Sequence, residues 1–225
     1  KNIFKMTELK KYKMFIDGGW VESDTKKTFE TLNPENNNPW AIVPEASAKD
    51  VDMAVEAAQK AFEGEWSKLF PKERAKYLKA IAEQLRENAE ILGKIETIDT
   101  GKLFKETKTQ ANYIAEYYDY YAGLADKVEG TVLPIDKPNM QVITTRVPIG
   151  VVAAIIPWNS QMLLTAVKLA PALAMGNTVV IKSSELAPAT LFEFAKLIEK
   201  VGIPKGVVNI VSGFGEPCGR ALTSH

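Results

Sequence analysis

Three short apolar runs decide the fold: VVAAII at residues 151–156, TVVI at 178–181 and VVNIV at 207–211. Each is too short for a helix and shows little polar–apolar alternation, as expected of parallel strands covered on both faces. Helical patterns at 161–175 and 189–201 lie between them, followed by Gly176-Asn177 and Gly202, where left-handed caps belong. Strand, helix, strand, helix, strand at this spacing predicts an α/β fold: a doubly wound, Rossmann-like parallel sheet with helices on both faces.

Upstream of this unit the patterns differ. MFIDGGWV at 14–21 reads as a hairpin turning at Asp17-Gly18-Gly19, and residues 28–32 as a strand ended by Asn33-Pro34 and a polar run through Pro39. Ser47 with Asp50 three residues later marks a helix start, after which Val51, Ala54, Val55, Ala58 and Phe62 share one face. A second helix opens near Pro71, whose missing N–H costs nothing there, and runs with an expected break at Gly93 towards Gly101. A third covers 106–125. Val128 to Leu133 and Met140 to Val147 then read as two extended strands forming an arm. The expected organisation is a hairpin and helices over 1–126, the arm over 127–148 and a βαβαβ core over 149–225.

Composition narrows the function. The 225 residues are 46% hydrophobic and 25% charged, with 28 basic and 28 acidic side chains and zero formal net charge. A nucleic-acid binder carries a basic excess or face; the only lysine cluster, Lys10 to Lys13, sits near a terminus expected to fray. No stretch reaches the roughly 18–20 unbroken apolar residues that span a bilayer. Neither nucleic acid nor membrane is expected as a partner. One Cys and one His leave no disulfide framework and no Cys/His zinc set. The polar first thirteen residues lack a signal-peptide core, which makes a cytoplasmic protein the simple reading.

Ligands of open parallel sheets sit beyond the carboxyl ends of the strands. The segments there are Pro157-Trp158-Asn159, Lys182-Ser183-Ser184-Glu185 and Ser212-Gly213-Phe214-Gly215. Gly213, Gly215 and Gly219 give G-x-G-x-x-x-G after the third strand, and a helix over 216–222 could face a phosphate; such turns also occur where nothing binds. A carboxylate at Glu185 can accept two hydrogen bonds from a ribose diol with Lys182 beside it, or the pair is a surface lysine and a helix-entry glutamate. Asn159 either caps the next helix or donates to an oxyanion. Cys218, inside the glycine turn, reads as an inert small residue.

Taken together, TRVPIGVV at 145–152 with Pro157-Trp158-Asn159, LAPALAMGNTVVIKSSE at 169–185 and GVVNIVSGFG at 206–215 resemble the aldehyde dehydrogenase superfamily. FIDGGW at 15–20, ETIDTGK at 96–102 and YYAG at 120–123 extend the likeness over nearly the whole chain. The resemblance implies the amino-terminal cofactor-binding portion of an NAD(P)-dependent enzyme that oxidises an aldehyde to an acid. A cysteine thiolate attacks the carbonyl, hydride leaves for the nicotinamide, and water hydrolyses the resulting thioester. It gives Asn159 the oxyanion and Lys168 a proton relay. Ile156, Pro157, Trp158 and Asn159 would line the cofactor cleft, Lys182, Ser184 and Glu185 would hold the adenosine ribose, and Gly215 and Gly219 would admit adenine and phosphates to the backbone. Because Glu185 would repel a 2′-phosphate, NAD is expected over NADP. A monovalent cation held by Thr31, Leu32, Asp99 and Leu186 is a further implication, with Asp99 as a cap or turn residue the plainer reading. The arm implies a homodimer or homotetramer.

Two departures qualify the match: Lys182-Ser183-Ser184-Glu185 stands where the family usually reads Lys-Pro-Ser-Glu, and Ser160-Gln161 replaces an aromatic-Pro pair. The nucleophilic Cys and general-base Glu are expected downstream of residue 225, so these residues alone are expected not to turn over aldehyde. The competing expectations are a non-catalytic nucleotide-binding or oligomerising module, and a CoA-acylating relative.

Overall fold

The computed structural model describes residues 9–225; the first part of the polar start lies outside them. The expected α/β architecture is present. Strands β1 (Lys10–Lys11), β2 (Met14–Ile16), β3 (Gly19–Val21), β4 (Thr28–Asn33) and β5 (Asn38–Pro44) precede helices α1 (Ala48–Glu63), α2 (Pro71–Glu87), α3 (Ala89–Thr100) and α4 (Phe104–Leu124). The short pair β6 (Val132–Leu133) and β7 (Val142–Ile143) follows. The βαβαβ unit is β8 (Val151–Ile155), α5 (Gln161–Ala174), β9 (Thr178–Ser183), α6 (Ala189–Val201) and β10 (Val208–Ser212), and α7 (Arg220–Ser224) comes last.

The main sheet has the order β3-β2-β10-β9-β8. Strands β8, β9 and β10 run parallel, and the β2–β3 hairpin adds antiparallel to β10. Asp17 (φ 52°) and Gly18 (φ 71°) form the two-residue turn that the twist of a hairpin favours. Alternate strand residues face opposite layers. Val179, Ile181, Val208 and Ile210 pack with α5 and α6, behind which α2, α3 and α4 form a further helical layer. Val180 and Val211 pack instead against Val51, Ala54 and Ala58 of α1 and Leu222 of α7. Helices thus cover both faces, and each fully buried Val or Leu side chain contributes about 1.5–3 kcal/mol.

Local chemistry fixes the helix ends. Ser47 caps α1 by accepting from Asp50 N–H, and Asp50 accepts from Ser47 N–H at 2.8 Å, the reciprocal box expected from the sequence. Buried Asp50 also accepts from Ser23 Oγ at 2.8 Å and Asp24 N–H at 3.0 Å, tying the hairpin's exit to α1. Gly101 (φ 78°) ends α3 in the left-handed region. Asn177 joins more elements than a cap would. Its Oδ1 accepts from Ile149 N–H (2.8 Å) and Gly150 N–H (3.1 Å), its Nδ2 donates to Ala172 O (3.2 Å), and its carbonyl accepts from Trp66 Nε1 (3.0 Å).

Several expectations need correction. The second helix breaks at Asn88, not Gly93. Gly93 instead lies inside α3, where a Cβ would meet Lys108 Cα and N at 2.8 Å, so its smallness serves helix packing. Residues 38–44, the end of the polar run and the segment passed over beyond it, form β5, which pairs with β4 through a register shift between Thr31 and Leu32. The terminus expected to fray falls on residues 1–8, outside the described residues; in the lysine cluster beside it, β1 pairs parallel with β5, and Lys10 Nζ bonds Glu193. Nor are all three parallel strands covered on both faces. β9 and β10 are buried throughout, but Ala153 and Ile155 of β8 are exposed because β8 ends the sheet and the cluster around α1 covers it only at its start, Val151. Between residues 126 and 149 no residue is buried, and β6 and β7 pair antiparallel over only two residues each.

Candidate functional site

The register brings the three strand ends onto one rim. Ile155 pairs with Lys182, and Ser183 with Ser212, so the segments that follow leave the same side of the sheet. Register partners point to the same face. The exposed Ala153 and Ile155 therefore form an open strip beside Lys182, on the α1 face.

After β8, Ile156 is buried and Pro157 leads into a single 3₁₀ turn, Trp158–Ser160, from which α5 starts. Trp158 is 53% exposed. Asn159 is exposed too and makes no capping bond to α5. The capping alternative is therefore overturned: Ser160 holds the cap position, and the amide of Asn159 stays free at the rim. About two turns further along, Lys168 Nζ donates to Leu164 O at 3.2 Å.

Lys182 is 5% exposed, an unusual setting for an ammonium, and its Nζ lies 3.3 Å from Glu185 Oε2. That disposes of the plainer reading of Lys182 as a surface lysine. Ser184 is buried, and its Oγ accepts from Leu186 N–H at 3.2 Å, holding the turn that presents Glu185. After β10, Ser212 Oγ donates to Pro44 O at 2.5 Å, and Phe214 leans on Phe29 with ring centroids 5.1 Å apart. A Cβ on Gly215 would meet nothing within 4 Å, whereas one on Gly219 would lie 3.9 Å from Lys182 Cε. The glycines thus leave backbone accessible beside the Lys182–Glu185 pair.

The helix expected over 216–222 is shorter. Glu216 is extended (φ −117°, ψ 126°), since the residue before a proline is driven out of the helical region, and regular α-helix covers only Arg220–Ser224. A strong dipole aimed at a phosphate is accordingly not part of this turn. Cys218 is buried, and burial pushes its thiol up to about 11, with Lys182 opposing. A buried thiol held in its neutral form is in keeping with the inert residue expected from the sequence.

At the cation positions, Asp99 is buried and both its oxygens are engaged, by Thr31 Oγ1 at 2.9 Å and Ala189 N–H at 2.8 Å. Its carboxylate thus caps α6 from a distance, and burial raises its pKa to about 7. Leu32 and Leu186 have exposed side chains. Among the described residues no group of three His, Cys, Asp or Glu side chains could hold a metal ion.

The sequence model of the aldehyde dehydrogenase family matches residues 20–225. The chain belongs to the aldehyde dehydrogenase family. Over 96% of its length it is 50% identical to (Z)-2-((N-methylformamido)methylene)-5-hydroxybutyrolactone dehydrogenase of Acinetobacter baylyi, and over 93% it is 42% identical to betaine aldehyde dehydrogenase of Bacillus subtilis. It covers 44% and 43% of those proteins, so this aldehyde dehydrogenase chain spans less than half the length of the curated relatives it matches. A solved structure, the NAD+ complex of aldehyde dehydrogenase from Bacillus cereus, aligns with a TM-score of 0.93 at 39% identity over 96% of this chain and 44% of that one.

Two features of the aldehyde dehydrogenase rim escaped sequence reasoning. The Glu96 carboxylate is buried without a hydrogen bond from the described residues, and burial raises its pKa to about 7 against the pull of Lys102. Lys102 in turn reaches Ser160, next to Asn159. Both belong to ETIDTGK, whose wording alone gives no sign that its last residue reaches the turn after β8.

Proposed function

We propose that these residues bind the nicotinamide cofactor, NAD in preference to NADP, of an enzyme that oxidises an aldehyde to a carboxylic acid. The observation that carries this reading is the buried Lys182 paired with Glu185 at a rim shared with Asn159 and Gly215. The open strip over Ala153 and Ile155 and the free space above Gly215 give the rim room for an extended dinucleotide. When bound, the nicotinamide accepts hydride. Lys182 and Glu185, on the turn held by Ser184, would grip the adenosine ribose through charge-assisted hydrogen bonds. Ile156, Pro157 and Trp158 would wall the cleft, and Gly215 and Gly219 would let the cofactor approach the backbone.

Asn159 Nδ2 would donate to the carbonyl oxygen as charge develops on it, a contribution of roughly 2.7–4 kcal/mol when such a donor is pre-organised. Lys168 would relay a proton at Nζ after leaving the Leu164 carbonyl. The buried thiol of Cys218 is unsuited to be the nucleophile, so these 225 residues are proposed to bind without turnover. The exposed strands β6 and β7 would supply contacts in a dimer or tetramer, since unpaired edges seek partners. Thr31, Leu32, Asp99 and Leu186 remain the place for a monovalent cation, with Asp99 already committed to α6.

Calorimetric titration with NAD+ and NADP+, repeated on Glu185→Ala, tests the reading. We expect tighter binding of NAD+ and, for the variant, roughly tenfold or greater weakening with reduced discrimination, as loss of one charge-assisted bond implies. Equal affinity of both proteins for both nucleotides would remove Glu185 from the ribose.

A further inference from the structure

Ser160 holds the cap position before α5 but its side chain makes no cap bond, and its backbone lies at φ −167°, ψ 70°. The hydroxyl is drawn elsewhere, to Lys102 Nζ, from a residue 58 positions earlier in the chain. Gly101 makes this possible, because its left-handed turn ends α3 and sends Lys102 away from the helix axis. Lys102 also lies 3.7 Å from Glu96 Oε1.

Glu96 is 0% exposed, and neither of its carboxylate oxygens accepts a hydrogen bond from the described residues. Among the described residues, Lys102 is its one ion-pair partner. A buried carboxylate so poorly served is costly, and what it gains is hold on a single ammonium. On the other side of Ser160, Gln161 is fully buried with both carboxamide atoms unpartnered. Among the described residues, the Lys102–Ser160 bond is the one side-chain hydrogen bond tying residues 157–161 to the rest of the protein.

We propose that Lys102, anchored by Glu96, is a positioning residue: through Ser160 it sets where the Trp158–Ser160 turn presents Asn159. Lys102 does not touch substrate or cofactor. It acts by removing the freedom of a turn whose exposed donor must be in place before charge develops, which is what makes such a donor effective. The catalytic meaning of the device rests on the reading of Asn159 given above, but the anchoring itself does not.

The chain labelled with 5-fluorotryptophan offers a direct readout, because Trp158 sits in the turn and its fluorine signal can be assigned with Trp158→Phe. We expect Lys102→Met and Ser160→Ala each to shift or broaden the Trp158 signal, while Trp20, Trp40 and Trp66 stay in place. The double variant should move it no further than either single one, since both changes cut one connection. Lys102→Arg should restore much of the original signal. An unmoved Trp158 signal in Lys102→Met, or effects of the two substitutions that add, would overturn the proposal. Should Lys102→Met fail to fold, Lys102→Met with Glu96→Gln removes the stranded buried charge and takes its place in the cycle. NAD+ titration of the unsubstituted chain runs in parallel: no binding there would count against the proposed function, while the fluorine result judges the anchor by itself.

Discussion

Replacing Asn177 by alanine should destabilise the chain by about 2 kcal/mol, the middle of the roughly 1–3 kcal/mol expected when one buried polar group is left without a partner. That group is the Gly150 amide, whose N–H donates to Asn177 Oδ1 at 3.1 Å just before β8 begins; Ile149, which donates to the same oxygen at 2.8 Å, is exposed, and its amide can turn to water. The carbonyl of Ala172 is not stranded, because Asn177 N–H still donates to it at 2.9 Å. Asn177→Asp keeps the acceptor and gives up only the Nδ2 donor, so its loss should be clearly smaller despite the buried charge. Equilibrium urea unfolding followed by tryptophan fluorescence measures both variants, and Trp66, bonded to the Asn177 carbonyl at 3.0 Å, reports from beside the substitution. A cost below about 1 kcal/mol for Asn177→Ala, the net worth of one ordinary hydrogen bond, would refute the claim that this side chain pins β8 to α5 and β9.

Gly206→Ala should also be strongly destabilising. A Cβ there would stand 2.4 Å from Ala57 O on a backbone at φ 79°, and a drop in the urea midpoint well beyond the roughly 1 kcal/mol usual for a substitution is expected. Glu96 should make stability depend on pH: its folded pKa of about 7 lies above its ordinary 4.5, so the folded chain binds the proton more tightly. Stability from this group is then greatest on the acid side and declines as pH rises from about 4.5 through about 7, by about 3 kcal/mol at 1.36 kcal/mol per pH unit. Unfolding of Glu96→Gln over that range should lack this share of the slope, and parallel curves for the two proteins would contradict it.

Much of the architecture was legible because local chemistry and burial agree. The capping box at Ser47 and Asp50, the Asp17-Gly18 hairpin turn and the apolar runs at 178–181 and 207–211 each satisfy one rule that no distant contact overrides. Where the reading failed, a distant partner decided. Gly93 looked like a helix breaker but is small because Lys108 of α4 presses on it, which no local pattern reveals. Strand β5 was hidden because prolines at both ends, Pro39 and Pro44, mask a strand that pairs with β4 on one side and β1 on the other. The rim segments could be named because ligands gather beyond strand ends, but the Lys102 connection spans 58 residues and depends on where α3 happens to point.

The free side of β8 has a consequence for its backbone. Gly150 O accepts from Thr178 and Ile156 N–H donates to Lys182, so even-numbered peptide groups from 150 to 156 turn towards β9. Those of Val151, Ala153 and Ile155 face outwards. One strand therefore contains two populations of amide in strict alternation, one locked into the ladder and one open to whatever lies alongside. Deuterium uptake, resolved residue by residue, would read this strand as a comb, and a tooth that stopped exchanging would mark the arrival of a neighbouring chain.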